Sequence, residues 1–258
     1  MNATIQESLD RLARDHQVTI LWAGEAGDRA RGIPSSDSPY DVRFIYVHQP
    51  AHYLRVFDKR DVIELPGNGP AAFTGWDIKK ALGMLRKSHP GLREWLSSTM
   101  VYRKHEAGIA PLMALLPDTL LPSVLCIHYL AQAKDCITKL AEDRDLRLIK
   151  YVSMFRDLLA CQWVVSHGSQ PPLSFSRLLN EYLPRGDIRE QLDELLELKT
   201  QVREAEMIPP QPDLDEYLLR LYGHLQRGVP GQIPVMDTAV FDQALLRILR
   251  TVHPDLHL

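Results

Sequence analysis

The sequence predicts an α+β fold in which a small mixed sheet with helices is followed by an all-helical region. Short runs of residues typical of strands occur at 18–22, 42–47, 60–65 and 71–73. Beyond about residue 105 such runs stop, and apolar residues recur with helical spacing. We therefore expect an α/β domain over residues 1–110 and a helical domain over residues 111–258 that closes a cleft against it.

The beginning of the chain predicts a helix that precedes the first strand. Ile5, Leu9 and Leu12 share one face of a helix over residues 4–15. A helical turn is expected over residues 50–57, between the second strand and the third.

The third and last strands are predicted to be joined by a turn, because residues 66–70 are rich in proline and glycine. Thr74 is expected to cap the helix that follows, with Trp76, Leu82 and Leu85 as its apolar positions. A further short helix is predicted after Pro90. Six more helices, separated by proline-containing breaks, are predicted over 120–140, 146–165, 174–182, 188–205, 214–225 and 238–249.

Composition indicates a globular protein without a strong charge bias. Hydrophobic residues make up 45% of the 258 residues and charged residues 24%, with a net charge of −3. No overall basic field therefore favours nucleic acid, although local basic faces are compatible with this balance. Cys126, Cys136 and Cys161 lie in apolar helical contexts without metal or redox spacing, so we expect reduced, buried thiols.

The sequence carries no signal for a membrane. No uninterrupted apolar stretch approaches the roughly 20 residues that span a bilayer. The N-terminus also lacks the basic and apolar regions of a signal peptide. We therefore expect a cytoplasmic protein without a membrane partner.

One stretch near the N-terminus carries the residues best suited to chemistry. It runs Gly27-Asp28-Arg29-Ala30-Arg31-Gly32 and continues, after a polar loop, as Asp37-Ser38-Pro39-Tyr40-Asp41-Val42-Arg43. Glycines at such a turn let the backbone approach a phosphate closely. Asp41 and Arg43 alternate with apolar residues, so an acid and a base share one face of the second strand.

This pattern resembles the core of nucleotidyltransferases of the DNA polymerase β superfamily. It is most similar to a bacterial and phage family of predicted nucleotidyltransferases with G-S-R-A-W-G followed by D-S-D-Y-D-V-R-F-I-Y. The resemblance implies that the glycine turn (Gly27, Asp28 and Arg29) and Arg43 bind a nucleoside triphosphate. It also implies that two Asp flanking one residue, with a third acid on a neighbouring strand, hold two Mg²⁺ ions that align an attacking hydroxyl.

The chain departs from that family at the metal-binding acids. Asp41 matches the second acid, but Pro39 stands at the first position and Ala72 at the third. Asp41 is therefore the candidate metal ligand and catalytic acid. Asp37 joins it as a catalytic candidate if its loop curls back; otherwise Asp37 belongs to a turn or cap. A lone carboxylate should bind Mg²⁺ weakly, because this ion requires near-octahedral oxygen ligands.

Other acids near this core have alternative roles. Asp28 stands where the family has Ser, and a carboxylate there would repel a triphosphate. Asp77 is expected to be a charge at a helix start rather than a metal ligand. Asp61 and Glu64 are fallback acids on another strand, although opposite faces prevent both from pointing into one site.

The helical half resembles the same family where Lys150-Tyr151 leads to Arg156, similar to its K-Y-x-x-x-x-R segment. The resemblance implies that Lys150 and Arg156 meet phosphate oxygens and that Tyr151 stacks on a base. The alternative is a solvated helical face with Tyr151 in the core. Asp193, Glu194, Glu197 and Lys199 are expected to form a solvated face with ion-pair spacing.

Three functions compete on these observations. The first is a catalytically degenerate nucleotidyltransferase-fold protein that binds a nucleotide, an RNA end or a protein partner. The second is an active transferase that uses Mg²⁺ and a nucleoside triphosphate to modify a hydroxyl of an RNA, a protein or a small molecule. The third is a purely structural partner in a two-protein assembly. The missing acids favour the first.

Overall fold

The computed structural model describes residues 2–57, 59–65, 71–142, 144–229 and 237–255, so the turn predicted at 66–70 lies outside the described residues. The helices are α1 (Asn2–His16), α2 (Gly27–Arg31), α3 (Ile78–Arg86), α4 (Pro90–Leu96), α5 (Glu106–Ala114), α6 (Pro122–Ala141), α7 (Leu148–His167), α8 (Phe175–Tyr182), α9 (Asp187–Gln201), α10 (Pro212–Arg227) and α11 (Ala239–Val252). The strands are β1 (Val18–Glu25), β2 (Tyr40–His48), β3 (Val62–Leu65), β4 (Ala71–Asp77), β5 (Val101–Lys104), β6 (Leu146–Arg147) and β7 (Met207–Ile208).

Within the described residues, five strands form a mixed sheet in the order β3-β4-β2-β1-β5. β1 is antiparallel to β2 and to β5, β2 is parallel to β4, and β3 is antiparallel to β4. The predicted fold class, a small mixed sheet with helices followed by a helical region, is confirmed.

The sheet is buried on both faces because strand side chains alternate in direction. One face packs against α1, where Ile5 and Leu9 meet Phe44 of β2. On the other face, Ile45 and Val47 pack in a cluster with residues of α3, α4, α5 and α11. β2 is therefore a central strand whose start and end are its more exposed parts.

The chain divides into two compact units. The first comprises Met1–Gly27, Pro39–Thr119 and Val235–Leu258, and the second comprises Asp28–Ser38 and Leu120–Pro234. The packing thus groups α11 with the sheet and the 28–38 loop with the later helices. The predicted division into domains near residue 110 stays a prediction. No helix in the described parts of the chain is long and apolar enough to cross a membrane.

The second unit has its own hydrophobic core, formed mainly by α6, α7 and α10. Cys126, Cys136 and Cys161 are free and buried, as predicted. β6 and β7 pair in this unit, although the sequence shows no strand signal beyond residue 105. Two-residue strands are too short to carry a recognisable periodicity.

Thr74 does not cap a helix, so that prediction is wrong. It lies inside β4, which continues to Asp77, and the Asp77 carboxylate caps α3 by accepting the Lys79 backbone N–H at 2.8 Å. β4 continues because Gly75 fits beside β2: a Cβ at this position would lie 2.1 Å from the Phe44 ring.

One further local expectation differs from the structure, and one strand was not expected at all. The helical turn expected over 50–57 is a single 3₁₀ turn over Pro50–His52. β5 was not predicted, because its four residues have no fully buried position and lack the apolar run of a central strand. Its pairing with β1 at the sheet edge supplies the backbone hydrogen bonds that make it a strand.

Candidate functional site

β2 carries Asp41 and Arg43 at its start, and the two side chains form an ion pair. Arg43 Nη2 donates to Asp41 Oδ2 at 2.9 Å, and Arg43 Nε lies 2.8 Å from Asp41 Oδ1. The Arg43 guanidinium also lies over the Trp95 ring, 5.5 Å from its centroid. Both side chains are about a quarter exposed, at 28% for Arg43 and 26% for Asp41. Both oxygens of the carboxylate are thus engaged by one guanidinium that a ligand could still reach.

Glu25, at the end of β1, lies behind this pair and is fully buried. Its Oε1 accepts the backbone N–H of Asp41 at 2.9 Å, and its Oε2 accepts the Tyr102 hydroxyl at 2.5 Å. Because both oxygens of this buried carboxylate accept a hydrogen bond, its burial is compensated. Glu25 of β1 thereby links the start of β2 to β5. Glu25 is absent from the candidates drawn from the sequence; the available signal was an acid that ends an apolar strand just before a glycine turn.

The segment predicted as a glycine turn is the short helix α2, which begins at Gly27 directly against the Asp41 carboxylate. Gly27 has φ +61°, in the left-handed region that favours glycine, and a Cβ there would lie 3.5 Å from Asp41 Oδ2. The neighbouring Ala26 N–H donates to the Asp41 carbonyl at 2.8 Å. The structure therefore brings Gly27, Asp41 and Arg43 together, as the spacing of the motif predicts.

The register of β4 decides what stands beside Asp41. In the parallel pairing of β2 and β4, Asp41 lies opposite Ala72, so their side chains point to the same face. Position 72, which matches the third acid of the family, is thus adjacent to Asp41 but carries a methyl group. Pro39 immediately precedes β2 and supplies no side-chain oxygen.

These residues do not fit a two-metal site. Across the described ranges, no group of three or more His, Cys, Asp or Glu side chains could hold a metal ion. Asp41 is the one acid that the resemblance assigns to the metal positions, and the Arg43 guanidinium lies against both of its oxygens. Mg²⁺ requires several convergent oxygen ligands, which this arrangement does not offer.

The other acids of the first unit are engaged elsewhere. Asp77 lies at a helix start as expected, and its Oδ2 accepts the Tyr53 hydroxyl at 2.8 Å. Burial raises the pKa of Asp77 to about 6. The fallback acids form ion pairs, Asp61 with Lys80 and Glu64 with Arg60.

The 28–38 loop belongs to the second unit, where Asp28 pairs with a buried lysine. Lys199 Nζ donates to Asp28 Oδ2 at 2.8 Å and also to the Ile33 carbonyl. The Lys199 side chain is only 2% exposed and that of Asp28 11%. The prediction that Lys199 lies on a solvated face is therefore wrong. Helical spacing could have shown this, because Lys199 follows Leu192 and Leu195 on the buried stripe of α9.

Two other candidates in this loop hold its conformation. Arg29 donates to the Ser38 carbonyl from Nη2 at 2.6 Å and from Nε at 3.1 Å. Asp37 Oδ1 accepts the backbone N–H of Glu204 at 2.9 Å. A nucleotide contact for Arg29 and a catalytic role for Asp37 stay predictions.

The candidates on α7 have different environments. Lys150 is exposed. Tyr151 is buried and donates to Asp215 Oδ1 at 2.6 Å, and burial together with Asp215 raises its pKa. Arg156 is also fully buried, with Nη1 at 3.2 Å from Asp157 Oδ1. Of the three, Lys150 is the side chain that a ligand in solvent could meet without rearrangement of the core.

Comparison with known proteins identifies the family. A model described as RlaP, the RNA repair pathway DNA polymerase β family, matches residues 1–246. The chain belongs to this family. A relative in Bacillus subtilis (strain 168), named uncharacterized protein YcgL, is 35% identical over 207 residues, which are 80% of each chain. The predicted membership in the DNA polymerase β superfamily is thus confirmed, and the family's description refers to an RNA repair pathway.

Proposed function

We propose that this RlaP-family protein is a catalytically degenerate nucleotidyltransferase that binds a nucleotide or an RNA end at the Asp41–Arg43 site. The supporting observation is the environment of Asp41. The two positions where the family has its other acids carry Pro39 and Ala72, and Ala72 lies directly opposite Asp41 in the sheet. Arg43 occupies the carboxylate that would otherwise bind a metal.

The remaining parts of the site suit an anion. Arg43 is partly exposed, and a phosphate that displaced Asp41 would receive the hydrogen bond that Arg43 Nη2 now donates to the Asp41 carboxylate. Gly27 leaves the space beside the carboxylate free of a side chain. On the second unit, Lys150 stays a sequence-based candidate for a phosphate contact of its own, because its side chain is exposed. The sequence alone leaves a protein partner open as an alternative, but these donors favour a phosphate.

Calorimetric titration of nucleoside triphosphates into the purified protein tests this proposal. We expect binding that persists in EDTA and that weakens by about 1–3 kcal/mol in Arg43→Gln, the range for a hydrogen bond to a charged group. Arg103→Gln is a matched control, because Arg103 also lies in the first unit, is 26% exposed and pairs with Asp10 at 2.7 Å. Equal affinities in the two variants, or no nucleotide binding by the wild type, would refute the proposal.

Family membership favours a second candidate function, an active Mg²⁺-dependent nucleotidyltransferase. The observation on its side is that Asp41 is retained next to the glycine turn. Incubation with α-labelled nucleoside triphosphates, Mg²⁺ and RNA separates the two functions. We expect no more label transfer than in Asp41→Asn. Robust transfer by the wild type that Asp41→Asn abolishes would establish the enzyme instead.

A further inference from the structure

A pocket of about 550 Å³ lies at the end of β2 remote from Asp41. Its polar lining includes His16, His48, His52, Arg55, Lys59 and Arg60. His48 is seven residues along the strand from Asp41, a distance of roughly 23 Å. Tyr46, which also lines the pocket, packs on the α1 side of the sheet. This pocket is therefore separate from the Asp41–Arg43 site in both position and face.

A second pocket of about 350 Å³ continues the first, since both are lined by His52, Arg55 and Lys59. We call the two together the His52 groove. The second pocket adds Phe57 and the basic residues Lys79 and Lys80. Pockets of this combined size are typical of sites for small molecules or single nucleotides.

The charge of the His52 groove is positive. Among the described residues, five Lys and Arg side chains line it, against three acids. Two of those acids, Glu64 and Asp61, are already paired with Arg60 and Lys80. Neither Arg55 nor Lys59 forms an ion pair with another residue of the described ranges, and both are exposed. The chain itself carries one further acid in this segment, Asp58, so residues 55–60 have a net charge of +2.

Exposed apolar side chains lie in the same segment as these cations. Leu54, Val56 and Phe57 are 75%, 90% and 81% exposed. Large exposed apolar groups are uncommon in one short segment and mark a binding surface. Alongside them, the His48 and His52 rings stack at 3.7 Å with an angle of 10°. Burial lowers the pKa of His48 to about 4 and also lowers the pKa of His52, so both rings of the stack are neutral at pH 7.

We propose that the His52 groove binds a segment of single-stranded RNA, with Arg55 and Lys59 on phosphates and Phe57 stacked on a base. Cations next to an exposed aromatic ring match a single strand, which offers phosphates and unpaired bases together. A duplex hides its base faces, and a lipid headgroup offers a phosphate without a base that could stack on Phe57. The inference rests on the proposed binding of an RNA end near Arg43 and adds a second contact for the same strand, remote from that end.

Fluorescence anisotropy with a short labelled single-stranded RNA, over about 50 to 200 mM salt, tests the groove. The double variant Arg55→Gln, Lys59→Gln should bind about tenfold more weakly, and its slope of log affinity against log salt should fall by about 1.4, since each phosphate contributes roughly 0.7 for single strands. The control Arg86→Gln, Lys87→Gln removes the same charge from exposed residues of the first unit that line neither pocket. It should keep the wild-type slope.

Phe57→Ser tests the stacking contact. It should weaken single-strand binding about tenfold without changing the salt slope. The inference would be overturned if the groove pair and the control pair lost equal RNA affinity. It would also be overturned if a duplex bound as tightly as the single strand and its affinity were unchanged by Phe57→Ser. Urea midpoints of all variants should match the wild type, because each altered side chain is exposed.

Nucleotide titration of the same variants keeps the two proposals distinct. If Arg43-dependent nucleotide binding holds while RNA affinity is independent of Arg55 and Lys59, the groove inference alone fails. If RNA binding depends on the groove but nucleotide binding is absent, the proposed function at Arg43 fails instead.

Discussion

Substitution of Asp28 by Ser, the residue that the family carries there, should strongly destabilise this protein. The Lys199 ammonium has two acceptors, the Asp28 carboxylate and the Ile33 carbonyl. Asp28→Ser leaves a buried charge with one neutral acceptor. Removal of one partner from a buried ion pair costs about 3–5 kcal/mol. Because Asp28 is 11% exposed and water can approach it, we expect the lower end, about 3 kcal/mol.

A double-mutant cycle isolates the interaction. Lys199→Met keeps most of the buried stem and leaves Asp28 with Arg31 at 3.9 Å, so we expect a smaller loss of about 1–2 kcal/mol. The double variant Asp28→Ser, Lys199→Met removes both charges and should be more stable than Asp28→Ser alone. The coupling free energy should be about 2 kcal/mol.

Urea unfolding followed by circular dichroism measures these free energies. Asp193→Ser serves as the control, because Asp193 pairs with Arg189 at the same 2.8 Å but is 50% exposed, and such surface pairs contribute roughly 0–1 kcal/mol. If Asp28→Ser costs no more than Asp193→Ser, or if the cycle is additive, the buried pair does not stabilise the fold as argued.

Two further predictions follow from the sheet. The folded-state pKa of Asp77, about 6, lies above that of an unfolded Asp, so the folded state binds the proton more tightly and stability should fall as pH rises from about 4 to 6. Urea unfolding at several pH values should show that the free energy of unfolding of the wild type falls by about 1–3 kcal/mol relative to that of Asp77→Asn over this range. Parallel curves of stability against pH for the two proteins would contradict this prediction. Pro39→Asp with Ala72→Asp should place acids beside Asp41 and create Mg²⁺ binding measurable by calorimetry, absent in the wild type. Equal Mg²⁺ heats in both proteins would show that the register-based placement is wrong.

Local patterns predicted most of the elements of this fold. The apolar spacing of Ile5, Leu9 and Leu12 predicted a helix over 4–15, and α1 spans Asn2–His16. The strand at 42–47 corresponds to β2, Tyr40–His48. These signals are strong because each element buries one continuous face or run. The spacing of its apolar residues along the sequence therefore shows which secondary structure it forms.

Elements that depend on a distant partner were not predictable in the same way. β5 is a strand because its backbone pairs with β1, not because of its own four side chains. The extension of β4 past Thr74 depends on Gly75 fitting against Phe44, which lies on another strand. Such contacts leave little mark in the local sequence.

The sequence by itself determined which chemical groups are available at the candidate site: Gly27, Asp41 and Arg43 on a turn and a strand, with Pro39 and Ala72 in place of acids. Motif spacing and strand alternation are local properties of the sequence, so these groups and their shared strand face can be predicted from it. Only the tertiary structure decided which charges are paired and buried. Lys199 contacts Asp28, which lies 171 residues away in the sequence. The burial of the Lys199 charge is compensated by that distant carboxylate and by the Ile33 carbonyl.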